Sequence, residues 1–132
     1  MAPTAVVVDD SSTTRCRLKA ELTKLGITVV AEAATADTVT ELYEQHHPSL
    51  MLLDIILPGV GGVAAATQLL KKYPSATVVM CSSINARDKV LACHAAGVKH
   101  FILKPFNSTQ IEEMAKKVLG LAPKASSQAV AS

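Results

Sequence analysis

Short apolar runs alternate five times with segments of helical periodicity, a rhythm that few folds accept. The runs are residues 5–8, 28–31, 50–53, 77–81 and 100–103. The first, residues 5–8, is β-branched and apolar, as buried strands are. Run 50–53 has no polar position, so it must be covered on both faces. Helical spacing fills the gaps, at residues 12–25, 35–46, 63–72, 86–96 and about 108–119. In the first of these, Leu18, Leu22 and Leu25 share one face. Thr35 reads as the cap of the second, Val39, Leu42 and Tyr43 as its inner face, and Pro48 as its stop. Asn107 or Ser108 caps the last, whose inner stripe is Ile111, Met114, Ala115 and Val118. Gly26, Gly97 and Gly120 stand just past helix ends. Strand–helix repeats of this length require a parallel sheet with right-handed crossovers and helices on both faces. The fold class is therefore α/β, doubly wound, in three layers.

A chain of 132 residues fits one domain, placed at residues 4–120. Residues 121–132 lose all periodicity and read as a flexible tail or the start of a linker. With 49% hydrophobic residues the chain can bury a core, and with only Tyr43, Tyr73, Phe101 and Phe106 as aromatics that core must be aliphatic. Thirteen basic residues against eleven acidic ones give no drive toward nucleic acid or an anionic membrane. There is no aromatic platform for bases, no signal peptide, and no apolar run near the ~18 residues that span a bilayer. Cys16, Cys81 and Cys93 are odd in number and lack CxxC spacing, which suits reduced thiols in a cytoplasmic protein. Of the four histidines, His46 and His47 are adjacent while His94 and His100 stand apart, which suits surface or boundary residues better than metal ligands.

Sheets of this kind bind ligands at the carboxyl ends of their strands. Asp9 and Asp10 follow the first run, Asp54 the third, Ser82 the fourth, and Lys104 the fifth, just before Pro105. Converging carboxylates need a cation or a proton to relieve them. Oxygen ligands suit Mg²⁺. Asp10 and Asp54 read as direct ligands, Asp9 as the holder of a metal-bound water, and the backbone carbonyl of Ile56 as a further ligand. Favourable placement at a helix N-terminus accounts for one aspartate, but not for three at two strand ends. Asp54 is the candidate nucleophile, able to form an aspartyl phosphate. Lys104 and Ser82 would contact the phosphoryl oxygens.

These residues in this order, Asp9 and Asp10, Asp54 with Leu57, Pro58 and Gly59, Ser82, and Lys104 with Pro105 and Phe106, resemble the signature of the receiver domains of two-component response regulators. The resemblance covers about residues 4–120. It implies a flavodoxin-like (βα)₅ fold with strand order 2-1-3-4-5. It implies Mg²⁺-dependent phosphorylation of Asp54 by a sensor histidine kinase or phosphotransfer protein, and no enzymatic role beyond the protein's own phosphorylation and dephosphorylation. Signalling to a downstream output protein or domain follows, as in chemotaxis-type regulators, from a cytoplasmic monomer or a phosphorylation-dependent dimer. Ser82 and Phe101 look like the switch pair, Phe101 standing where many members carry tyrosine. Their movement would repack the face of the fourth helix, fifth strand and fifth helix. Arg15, Arg17 and Lys19 of the first helix resemble a kinase-docking face. Ile56 and Ile84 occupy the positions flanking the attacking water; both are apolar, which predicts slow self-dephosphorylation. Gly61 replaces an acidic or amide residue frequent in relatives, which predicts a more mobile loop.

Other readings fit less well. A haloacid-dehalogenase-like phosphatase needs a second acid where Ile56 stands. A flavodoxin-type carrier needs a phosphate loop after the first strand, where Asp9 and Asp10 would repel the ligand. A pseudo-receiver usually lacks one of the acids or the lysine, all kept here.

Overall fold

Each predicted strand forms in the computed structural model, which describes residues 3–58, 61–83 and 87–120. The elements are β1 (Thr4–Val8), α1 (Ser12–Lys24), β2 (Thr28–Ala33), α2 (Val39–His46), β3 (Leu50–Asp54), α3 (Gly62–Lys72), β4 (Val78–Ser82), α4 (Arg87–Ala96), β5 (His100–Leu103) and α5 (Ser108–Leu119). The strands pair in parallel in the order β2-β1-β3-β4-β5. This is the expected flavodoxin-like, doubly wound arrangement.

The period of two along each central strand splits the core into two layers. Val6, Val8, Met51, Leu53 and Met80 pack with Val39 of α2, Ala65, Ala66 and Leu69 of α3, and Cys93 of α4. Their neighbours Ala5, Val7, Leu50, Leu52, Val79 and Cys81 pack on the other face with Leu18 and Leu22 of α1 and Ile111, Met114 and Ala115 of α5. Both faces of β3 are covered, which is why its sequence carries no polar alternation.

The ends of the helices follow local chemistry. Ser11 caps α1, its hydroxyl accepting from the Thr14 N–H at 3.2 Å. Asn107, not Ser108, caps α5 through a reciprocal capping box with Gln110. The predicted start of α2 at Thr35 is corrected: the helix begins at Val39 after Thr38. Ala36 is buried, and its N–H donates to the Pro58 carbonyl at 3.2 Å. That tie to the loop after β3 keeps the preceding residues out of the helix. β2 reaches Ala33, beyond the predicted end, and carries a bulge. Ala5 pairs with Val29 and Val6 with Ala31, so Val30 is the extra residue. The bulge shifts the phase of the strand, leaving Val29 on the α1 side, Ala31 and Ala33 on the α2 side, and Glu32 turned to α1.

All three cysteines are free, Cys16 exposed and Cys81 and Cys93 buried. Burial pushes the Cys81 thiol up to about 12 and raises that of Cys93 as well. Native protein should therefore take up one maleimide, at Cys16, and three after denaturation. Native labelling of Cys81 as fast as Cys16 would contradict this packing. Among the described residues no helix is long and apolar enough to cross a membrane.

Candidate functional site

β1 and β3 are neighbours with Val8 opposite Leu53, so the residues that end them emerge side by side. Asp9 continues the β1–β2 ladder, its N–H donating to the Ala33 carbonyl at 3.0 Å. Its side chain is thereby fixed at the sheet edge and is only 1% exposed. One carboxylate oxygen accepts from the Ser11 N–H at 2.9 Å, the other from Lys104 Nζ at 2.9 Å. Asp54 is arranged in the same way: Oδ1 accepts from the Ile56 N–H at 3.1 Å and Oδ2 from Lys104 Nζ at 2.9 Å. Lys104 reaches both acids from the end of β5, its N–H donating to the Ser82 carbonyl at 2.6 Å. The Lys104–Pro105 peptide is cis. Asp10 is exposed, and carboxylate oxygens of Asp9, Asp10 and Asp54 all lie within 4.8 Å of one another.

Two buried carboxylates thus share one ammonium, with the Asp10 carboxylate close by. Burial raises the Asp54 pKa above its ordinary value, with Asp9 adding repulsion; Lys104 and the Ile56 N–H oppose but do not cancel this. Burial pulls the Lys104 pKa down, but hydrogen bonds and charge from Asp54 and Asp9 together more than offset it, and the net shift is upward. Lys104 gains two anions, whereas each anion gains half a cation. A pocket with this imbalance can take up a further cation.

The other predicted residues are placed less directly. Ser82 is buried at the end of β4, but its hydroxyl donates to the Ser83 carbonyl at 3.0 Å rather than to the acids. Phe101 is half-buried against the α3–α4 side of the core, its ring 4.7 Å from that of His94. Ile56 is 52% exposed at the rim. Ile84, Gly59, Val60 and residues 121–132 lie outside the described residues. Of the basic residues of α1, Arg15 and Lys19 both pair with Glu32, and Arg17 lies 5.7 Å over the Phe106 ring.

Two residues take a part in the site that the sequence did not suggest. Gly62 opens α3 against the end of β3, its N–H donating to the Ile55 carbonyl at 3.1 Å. A Cβ there would lie 2.1 Å from the Asp54 carbonyl oxygen and 2.6 Å from that of Ile55. The signal available was the pair Gly61 and Gly62 itself. The second is Arg15, whose Nη1 donates to the Asp9 carbonyl at 2.6 Å; nothing in its spacing marks it.

A 2-1-3-4-5 parallel sheet with two buried aspartates joined by one lysine at its carboxyl edge defines a class of signalling module. The profile of the response regulator receiver domain matches residues 5–116, and the chain belongs to that family, in its CheY-like form. It is 34% identical over 119 residues to the chemotaxis protein CheY of Bacillus subtilis (strain 168), covering 90% of this chain and 99% of that one. Among solved structures it resembles the CheX–CheY–BeF3–Mg²⁺ complex from Borrelia burgdorferi, with TM-score 0.81, 26% identity and 87% of each chain covered. It also resembles NtrX from Brucella abortus, with TM-score 0.82 and 29% identity over 91% of this chain. The chain spans about a quarter of NtrX, 27% of its length.

Proposed function

We propose that this receiver domain accepts a phosphoryl group on Asp54 from a sensor histidine kinase or phosphotransfer protein. The observation that carries this is Lys104 Nζ at 2.9 Å from both Asp9 and Asp54. It leaves a reactive carboxylate buried, oriented and short of positive charge. Asp54 attacks phosphorus through a carboxylate oxygen; an O–P bond forms as the P–N bond to the donor imidazole breaks, and that ring leaves with the electron pair. The Ile56 N–H keeps one oxygen of Asp54 oriented, and Lys104 turns from the other toward a phosphoryl oxygen. The all-oxygen donor set and its excess negative charge fit Mg²⁺, which Asp10, Asp54 and the Ile56 carbonyl would hold directly and Asp9 through a water. When bound, that ion neutralises phosphoryl oxygens. The Borrelia relative, crystallised with BeF3 and Mg²⁺, supports this reading.

Ser82 would leave the Ser83 carbonyl to donate to the new phosphoryl group. Phe101 would then move into the vacated space, repacking α4, β5 and α5, where Leu91 and Leu103 are already exposed. The output is binding of a downstream protein or domain, or dimerisation, in the cytoplasm. The domain turns over no substrate besides its own phosphoryl group. Ile56 offers an attacking water no polar side-chain atom, so the acyl phosphate should be long-lived.

Intact mass after incubation with acetyl phosphate tests this. Wild type should gain one phosphoryl group only with Mg²⁺, and Asp54→Ala should gain none. The decay of the added mass measures the acyl-phosphate lifetime. No gain under any condition would make the protein a phosphorylation-independent binding module instead.

A further inference from the structure

Asp10 is the exposed member of the acid pocket, and among the described residues its side chain has no hydrogen bond or ion pair. With no contact of its own, its reach toward Asp54 depends on where its backbone is held. The peptide joining Asp9 to Asp10 is gripped at its carbonyl, which accepts from Arg15 Nη1 at 2.6 Å. Arg15 is itself held, with Nε donating to Glu32 Oε1 at 2.8 Å. The other oxygen of Glu32 accepts from Lys19 Nζ at 2.6 Å. A continuous chain of contacts thus runs from Lys19 through Glu32 and Arg15 to the Asp9–Asp10 peptide. The Val30 bulge is what turns Glu32 toward α1 and lets the chain close.

The forked guanidinium matters here. One arm grips a carbonyl and the other a carboxylate, a division that a single ammonium cannot reproduce at fixed geometry. Glu32 also neutralises Arg15, which would otherwise repel a divalent cation from the pocket. Arg15 is not within the cluster of carboxylates and touches no reacting atom.

We infer that Arg15, held by Glu32, is a positioning residue for the cation site, fixing the Asp9–Asp10 peptide so that the Asp10 carboxylate stays aimed at Asp54. This rests on the reading of the pocket as a Mg²⁺ site. Outer contacts of this kind change metal affinity by roughly 10–100-fold when removed. A partly exposed ion pair such as Arg15–Glu32, with side chains 18% and 36% exposed, contributes modestly to folding. Loss of the contact should therefore appear more in metal affinity than in Tm.

The test is isothermal titration of the unphosphorylated chain with Mg²⁺, alongside thermal melting, for wild type, Arg15→Ala, Arg15→Lys and Glu32→Gln. Arg15→Ala is expected to weaken Mg²⁺ binding about tenfold, Glu32→Gln to fall between it and wild type, and Arg15→Lys not to restore affinity. The phosphorylation rate of each variant should recover at saturating Mg²⁺, because Asp54 and Lys104 are untouched. Wild-type affinity in Arg15→Ala and Glu32→Gln, or full rescue by lysine, would overturn the inference. If Arg15→Ala does not fold, the affinity of Glu32→Gln decides. Failure of wild type to bind Mg²⁺ would instead remove the reading of the pocket itself.

Discussion

Gly62→Ala is expected to destabilise the protein by about 3 kcal/mol and to disable phosphorylation in whatever folds. The added methyl would sit 2.1 Å from the Asp54 carbonyl oxygen and 2.8 Å from the Ile55 Cα, both backbone atoms that no rotamer change can move. Either α3 retreats from the end of β3 or the Asp54 backbone shifts. The first opens the core at Ala65 and Ala66; the second displaces the Asp54 carboxylate from Lys104. Gly61 is glycine for a different reason, its φ of 88° and ψ of 154° being a conformation open to glycine alone. Urea unfolding of the Gly62 variant measures the loss. A change below about 1 kcal/mol with normal phosphorylation would show that the strand end is pliable.

Lys104→Met should have the second large effect. It leaves Asp9, 1% exposed, and Asp54, 8% exposed, as neighbouring carboxylates without their shared cation. Breaking a fully buried pair costs roughly 3–5 kcal/mol; the Lys104 side chain is 26% exposed, so about 2–3 kcal/mol is expected at pH 7. The pH dependence has a definite sign. Asp54 has a raised folded pKa, so it binds its proton more tightly folded than unfolded, and folding loses stability as pH rises from the ordinary aspartate value through the raised one. Removing Lys104 removes the main influence opposing that rise and widens the window. The gap between wild type and variant should therefore be greatest near neutrality and close as pH falls below the ordinary carboxylate range. Chemical denaturation at pH 7 and pH 4 checks this, and a gap that widens in acid would refute it. Under the proposed mechanism the variant should also phosphorylate on the order of a hundredfold more slowly, for want of a donor to the moving phosphoryl group.

Much of this was legible because it is local or periodic. The continuous apolarity of Leu50 to Leu53 required a strand covered on both faces, and β3 is one. Strand-end position alone brought Asp9, Asp10, Asp54 and Lys104 to one edge, because parallel strands with right-handed crossovers leave their carboxyl ends no other place. What failed depended on contacts distant in sequence. Thr35 has the chemistry of a cap, yet the Ala36 bond to Pro58 moves the helix start to Val39. Nor does the row of Arg15, Arg17 and Lys19 announce its partners, which are Glu32 for two of them and the Phe106 ring for the third.

The sequence by itself determined the layer architecture and the residues of the acid pocket, since hydrophobic period and strand order leave little freedom. Only the tertiary structure decided how that pocket is held. The Val30 bulge, the grip of Arg15 on the Asp9 carbonyl, and the approach of Gly62 to Asp54 each join segments whose pairing depends on register and close packing. Neither composition nor periodicity encodes a distance between two backbones, and these distances fix the site.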